Sequence, residues 1–109
     1  MLKRENRLTL VRLSNPENIS TPLFSLRIAK NDQSLNRFAF IVSKKIDKRA
    51  VIRNSLKRKL RSCIEEIFDN IQKGYDFVFY PKSLLIKTER EEALIELKKT
   101  LIKERVMND

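Results

Sequence analysis

Apolar and polar positions alternate through Phe24-Ser-Leu26-Arg-Ile28-Ala29. A period of two marks a half-buried strand, with Phe24, Leu26 and Ile28 toward a core and Ser25 and Arg27 on the opposite face. The polar stretch Lys30–Ser34 separates it from a second run, Asn36–Ser43, which is almost continuously apolar. The spacing predicts a hairpin of these two strands, closed by a loop of about five to eight residues. The unbroken apolar character of the second run predicts a central position in the sheet.

The period then changes. Ile52, Leu56, Leu60, Cys63, Ile64, Ile67 and Ile71 recur every three or four residues, so one helix is expected over about Arg49–Gln72. Gly74 stands where a helix-ending residue of positive φ is wanted. Tyr75–Tyr80 reads as a strand closed by Pro81, which makes strand, helix and strand a βαβ unit with a parallel pair. Thr88-Glu-Arg-Glu91 has the spacing of a capping box and opens a last helix to about Arg105, with Leu94, Leu97, Leu101 and Ile102 on one side. The expected order is β-β-α-β-α, an α+β sandwich with helices on one sheet face.

The first 23 residues carry the weakest pattern. Leu8–Arg12 reads as a short strand or one helical turn, Ser14–Asn18 as a turn, and Thr21-Pro22 as an extended entry. The chain is expected to form a single domain over 1–109, with an irregular segment at 1–23, a core at 24–105 and a tail at 106–109.

Composition narrows the chemistry. The 109 residues hold 24 Lys and Arg against 14 Asp and Glu, a net charge of +10, with no His and one Cys. Lacking His, the chain has neither the usual general base nor the usual zinc ligand. A single Cys permits no disulfide framework and no CxxC site. Cys63 falls in the helix stripe, as a small core residue would. The longest apolar run is the five residues Phe38–Val42, far short of the roughly 20 that span a bilayer. Arg12 interrupts the amino-terminal apolar stretch, so no secretory signal is read there. A cytoplasmic, membrane-free protein is expected.

The charge is concentrated. Lys44, Lys45, Lys48, Arg49, Arg53, Lys57, Arg58, Lys59 and Arg61 face one acid, Asp47, so this stretch supplies +8 of the +10. A solvated helix face is the plain reading of such a run. Three features favour a site. The cations occupy the amino end of the helix, where the macrodipole makes each unfavourable by about 0.3–1 kcal/mol. They cover one sector beside the apolar stripe. The loop Ser43–Arg49 adds further cations at the carboxyl end of a strand. An incoming phosphate would gain from dipole and side chains together. Ser43 and Asn54 are candidate donors to phosphate or sugar oxygens, with capping or solvation as the alternative.

Arg37-Phe-Ala-Phe-Ile-Val-Ser-Lys-Lys45, then Ala50-Val-Ile-Arg53-Asn54-Ser55-Leu-Lys57-Arg58-Lys-Leu-Arg61, resembles the protein component of bacterial ribonuclease P. A strand ending in SKK followed by the RN-x-x-KR-x-x-R spacing carries the resemblance, which covers about residues 36–105. It implies a ribosomal protein S5 domain 2-like fold with a left-handed βαβ crossover, whereas the general rule favours the right hand. It implies an RNA-binding subunit of a ribonucleoprotein endoribonuclease. Its partners would be the catalytic RNA and the 5′ leader of precursor tRNA. The RNA would do the cleavage with Mg²⁺ held mainly by itself, and this chain would carry no catalytic side chain.

By position, Arg53, Asn54, Lys57, Arg58 and Arg61 would contact RNA, with Lys44, Lys45, Lys48 and Arg49 flanking them. Two departures from the family pattern stand out. Ser55 replaces the second Arg of RNR, and Lys59 or Arg49 is the candidate to compensate. Residues 1–23 contain no aromatic, whereas the family begins with a helix whose paired aromatics line the leader cleft. Ser25 and Arg27 are candidates to line that cleft, or are solvent-exposed strand residues. Most Phe residues are assigned to the core, because base stacking needs exposed rings beside cations. Asp76 is either a solvated strand residue or a member of a Mg²⁺ shell. No protein oligomer is indicated. A general RNA-binding or ribosome-associated module is the competing function, and a nuclease acting without RNA lacks the side chains it needs.

Overall fold

A computed structural model describes residues 2–8 and 13–108. The elements are β1 (Glu17–Ser20), β2 (Phe24–Lys30), β3 (Arg37–Phe40), α1 (Ala50–Ile67), β4 (Tyr75–Pro81) and α2 (Arg90–Lys103), with 3-10 turns at 4–6, 68–70 and 83–87. The fold is mixed α+β, as expected, with one strand more than the sequence predicts. β1 escapes the pattern because only Ile19 in it is apolar. Thr9–Arg12, part of the segment read as strand or turn, lie outside the described residues.

The sheet runs β1-β2-β4-β3. β1 and β2 pair antiparallel, β2 and β4 pair antiparallel, and β3 and β4 pair parallel. The parallel pair joined by α1 is the expected βαβ unit. The expected hairpin of β2 with β3 does not form, and β4 lies between them. The reason is burial. Asp76, Phe77, Val78 and Phe79 of β4 are all buried, so this strand has no solvent face and belongs in the centre. β3, predicted central, borders the N-terminal segment instead, with Arg7 bridged to Phe38 and the Leu8 N–H donating to the Phe38 carbonyl at 2.9 Å.

The β2–β3 connection passes over the start of β4 and is tied to it. The Asn31 N–H donates to the Gly74 carbonyl, and buried Asn36 donates to the Gln72 carbonyl while accepting from the Tyr75 N–H. Gly74 has φ +97, and a Cβ there would meet the Gln33 carbonyl oxygen at 3.1 Å. Its freedom therefore serves this crossing rather than the end of α1, which stops at Ile67. The stripe continued to Ile71 only because that residue turns back to bridge Met107.

Phe24, Leu26, Ile28, Phe38, Phe77 and Phe79 form the helix-facing side of the sheet, against Leu56, Leu60, Cys63, Ile64 and Ile67 of α1 and Leu97 and Leu101 of α2. Burial pushes the Cys63 thiol above its ordinary pKa, as suits a core residue. Val106 and Met107 are buried in the same core, so the segment read as a tail completes it. Thr88 is not a helix cap. Its hydroxyl donates to the Leu84 carbonyl, closing the preceding 3-10 turn, and α2 begins after Glu89 without a side-chain cap.

Candidate nucleic-acid interface

The site is built where β3 passes into α1. A turn closes at Ser43–Ile46, with the Ile46 N–H donating to the Ser43 carbonyl. Asp47 then accepts the Arg49 backbone N–H at 2.8 Å, and its two oxygens accept the Arg49 guanidinium at 3.1 and 2.9 Å. These bonds hold the Asp47 carboxyl at about 2, below its ordinary 3.8. Arg53, one turn into α1, folds back and donates from Nη1 to the carbonyls of Asp47 and Lys48 at 3.1 and 2.8 Å.

The first turn of α1 has no acidic residue. Lys44, Lys45, Lys48 and Arg58 are exposed and Lys57 is half-buried. None of the five side chains, nor that of Asn54, has a hydrogen-bond or ion-pair partner among the described residues. Uncompensated cations thus gather at the positive end of a helix dipole, which stabilises a bound anion and destabilises the free helix.

The remaining cations have internal work. Lys59 donates to the carbonyls of Leu85 and Thr88 at 2.8 and 2.7 Å, capping the 83–87 turn against α1. It is therefore unavailable to compensate for Ser55, and Arg49 is engaged with Asp47. The Ser55 hydroxyl donates to the Ile52 carbonyl of its own helix. Arg61 lies over the Phe40 ring, 5.4 Å from its centroid, and Phe40 in turn stacks on Phe79 at 5.6 Å. Phe40 is half-buried, unlike Phe24, Phe38, Phe77 and Phe79.

Arg61 and Phe40 border a groove of about 560 Å³ whose far wall is the N-terminal segment Leu2, Asn6, Arg7 and Leu8. That segment is pinned by the Asn6 amide on the Asn36 carbonyl and by the Leu2 N–H on Glu65. The exposed Arg7 at this wall was not singled out by sequence. Its only signal was the basic opening of the chain.

Ser25 and Arg27 occupy the sheet face away from the helices, as the alternation required. Arg27 donates to the Asn18 side chain at 3.1 Å, and Ser25 is registered between Ser20 and Tyr80. No hydrogen bond or ion pair among the described residues joins either to the cations of α1. On the same face Asp76 is committed: Arg37 binds it twice at 2.8 Å and Asn31 once at 2.9 Å. The pair raises the Arg37 pKa and occupies both Asp76 oxygens, so a metal shell there would first have to break it.

A small α+β scaffold thus brings together one strongly cationic helix end, an arginine-covered phenylalanine and a loop tied to the helix start, an electrostatic match for an anion. The family model described as Ribonuclease P matches residues 2–105. The chain belongs to the ribonuclease P protein family. A ribonuclease P protein component from Microcystis aeruginosa is 36% identical over 73 residues, covering 67% of this chain and 61% of that protein. The chain's match thus spans less than two thirds of that relative. One from Bacillus cereus is 34% identical over 101 residues, covering 93% of this chain and 84% of the relative. The solved ribonuclease P protein from Thermotoga maritima has the same fold, with a TM-score of 0.73 at 24% identity over 80% of this chain and 82% of that one. The Staphylococcus aureus protein matches with a TM-score of 0.73 at 19% identity over 100% of this chain and 97% of that one.

Proposed function

We propose that this chain is the protein subunit of a ribonuclease P, binding the catalytic RNA and the 5′ leader of precursor tRNA so that the RNA removes the leader. The set of unpartnered cations at the amino end of α1 carries this reading. Lys44, Lys45, Lys48, Lys57 and Arg58, with Asn54, supply phosphate and sugar contacts, which position RNA without reading its sequence. Arg61 over Phe40, with Arg7 opposite, suits an unpaired strand, because a ring beside guanidinium groups takes any base. Arg49 lies at the same surface and keeps one guanidinium nitrogen free for it.

The protein's work is electrostatic. It lowers the repulsion between two RNAs and holds the leader in place. Mg²⁺ belongs on RNA phosphates in this reading. The carboxylate nearest the cationic surface, Asp47, is saturated by Arg49 and offers no open ligand set. No helix among the described residues is long and apolar enough to cross a membrane. We place the function in the cytoplasm, with residues 1–109 acting as one domain.

Replacing Lys57 and Arg58 together by Ala tests the reading. Binding to a bacterial ribonuclease P RNA should weaken by about 10- to 100-fold at moderate salt, and its salt slope should fall by roughly 0.7–0.9 per lost contact. In a reconstituted reaction at low Mg²⁺, the wild-type chain should restore 5′ processing and the double variant should not. Uniform weakening on leader-bearing and mature tRNA, with no effect on processing, would instead mark a general RNA-binding module.

A further inference from the structure

Asp47 is the one acid in a stretch of nine cations. Charge alone makes it a defect in a surface that meets RNA. The geometry points to a different role: Asp47 and Arg53 are positioning residues that buckle the loop 43–49 onto α1, so that its lysines are presented in one arrangement. We propose this buckle as a determinant of RNA affinity, acting through the loop and not through contact with RNA. The inference rests on the reading that this surface binds RNA.

The buckle has two halves that meet at adjacent residues. Asp47 ties the chain forward, by its oxygens on the backbone N–H and guanidinium of Arg49, the residue that caps α1. Arg53 ties the chain backward, by one nitrogen on the carbonyls of Asp47 and Lys48. Together they fix three successive residues between a strand end and a helix start. Lys44, Lys45 and Lys48 have no side-chain partners among the described residues, so the backbone decides where they emerge. Holding that backbone before RNA arrives removes an ordering cost from binding. An arginine is needed because both bonds come from one Nη1, which the planar guanidinium holds farther from the backbone than a lysine ammonium reaches.

Two substitutions of equal charge separate position from electrostatics. Asp47→Asn and Asp47→Ala both remove the negative charge. Only Asn keeps an oxygen for the Arg49 N–H. Binding is measured to a bacterial ribonuclease P RNA across a salt series, with thermal melting to verify folding. We expect Asp47→Ala to bind about three- to tenfold more weakly than Asp47→Asn. Arg53→Lys, at unchanged charge, should weaken binding by a similar factor with the wild-type salt slope, since no phosphate contact is lost. The Lys57→Ala, Arg58→Ala variant is the reference for a true contact loss.

Asp47→Ala binding as tightly as Asp47→Asn, or Arg53→Lys binding like wild type, would overturn the buckle while leaving the RNA-binding surface intact. So would a slope reduced by about one contact in Arg53→Lys, which would make Arg53 a phosphate ligand. A wild-type chain that fails to bind the RNA, or a reference variant that binds as wild type does, would overturn the underlying reading and the buckle with it.

Discussion

The two halves of α1 obey opposite rules. In the carboxyl half, Cys63, Ile64 and Ile67 are buried and the acids are satisfied: Glu65 accepts the Leu2 N–H and Glu66 accepts Arg90 at 2.8 Å. Arg90 also reaches the Ser62 hydroxyl and carbonyl, locking α2 to this half. In the amino half, Lys57 and Arg58 stand unpaired among the described residues, and Val51 at the helix start is 71% exposed. One half commits its charges to its own chain, and the other leaves them without a partner among the described residues. The surface that destabilises the free protein is the one that gains when an anion arrives.

The largest expected effect breaks the half that serves the fold. Ile64 is fully buried, and Ile64→Ala should cost about 2–5 kcal/mol of stability by transfer and cavity terms. Denaturant unfolding measures it. RNA affinity per folded molecule should stay within about twofold of wild type, since the cavity lies away from every unpartnered cation. A large affinity loss in the folded fraction would mean the two halves are coupled.

A smaller and opposite effect sharpens the contrast. Lys57→Glu with Arg58→Glu places acids toward the positive end of α1. Each favourable helix-dipole contact is worth about 0.3–1 kcal/mol within the first turn, and less at 57 and 58, about two turns in. The double variant should therefore melt at the wild-type temperature or slightly above it. It should lose RNA binding more completely than the alanine variant, because attraction becomes repulsion. A variant more stable yet inactive would show directly that the amino half gives up stability for function. A fall in melting temperature would show that these cations have a structural role that the hydrogen bonds do not reveal.

The same contrast explains what the sequence could disclose. Periods of 3.6 and 2 expose burial, so α1, its Cys63, and the inward faces of β2 and β4 were legible. Period does not name a strand's neighbour. The burial of β4 on both faces, which puts it between β2 and β3, depends on elements distant in the chain. β1 was invisible because an edge strand with one apolar residue has no stripe. The cationic patch was legible as a count, but a count treats its members alike. Lys59 is separated from its acceptors by 26 and 29 residues, and Arg53 turns one guanidinium nitrogen back onto backbone carbonyls. Neither the side chain's type nor its spacing carries that information. Ser25 and Arg27 were placed on the correct face by alternation alone, which could not say what else shares it.

The smallest effect lies at the hinge between strand and helix. Asp47 is half-buried, and its carboxyl is held at about 2 against an ordinary 3.8, chiefly by the hydrogen bonds from the Arg49 side chain and backbone. The pKa is depressed in the folded state. The bond network therefore contributes fully above pH 3.8, weakens as pH falls, and is lost as pH passes through about 2. NMR titration of the Asp47 carboxyl should give a midpoint near 2, and Arg49→Ala should return it toward 3.8. The Arg49 backbone amide should shift with the same midpoint, since it donates to that carboxylate. Salt should move the midpoint upward, because the pair is open to solvent on its Arg49 side and is screened there. An unshifted midpoint in the wild-type chain would mean that the loop is not buckled before RNA binds. The order of this surface would then be imposed by its partner, and the contrast between the two halves of α1 would be one of folding on binding as well as of charge.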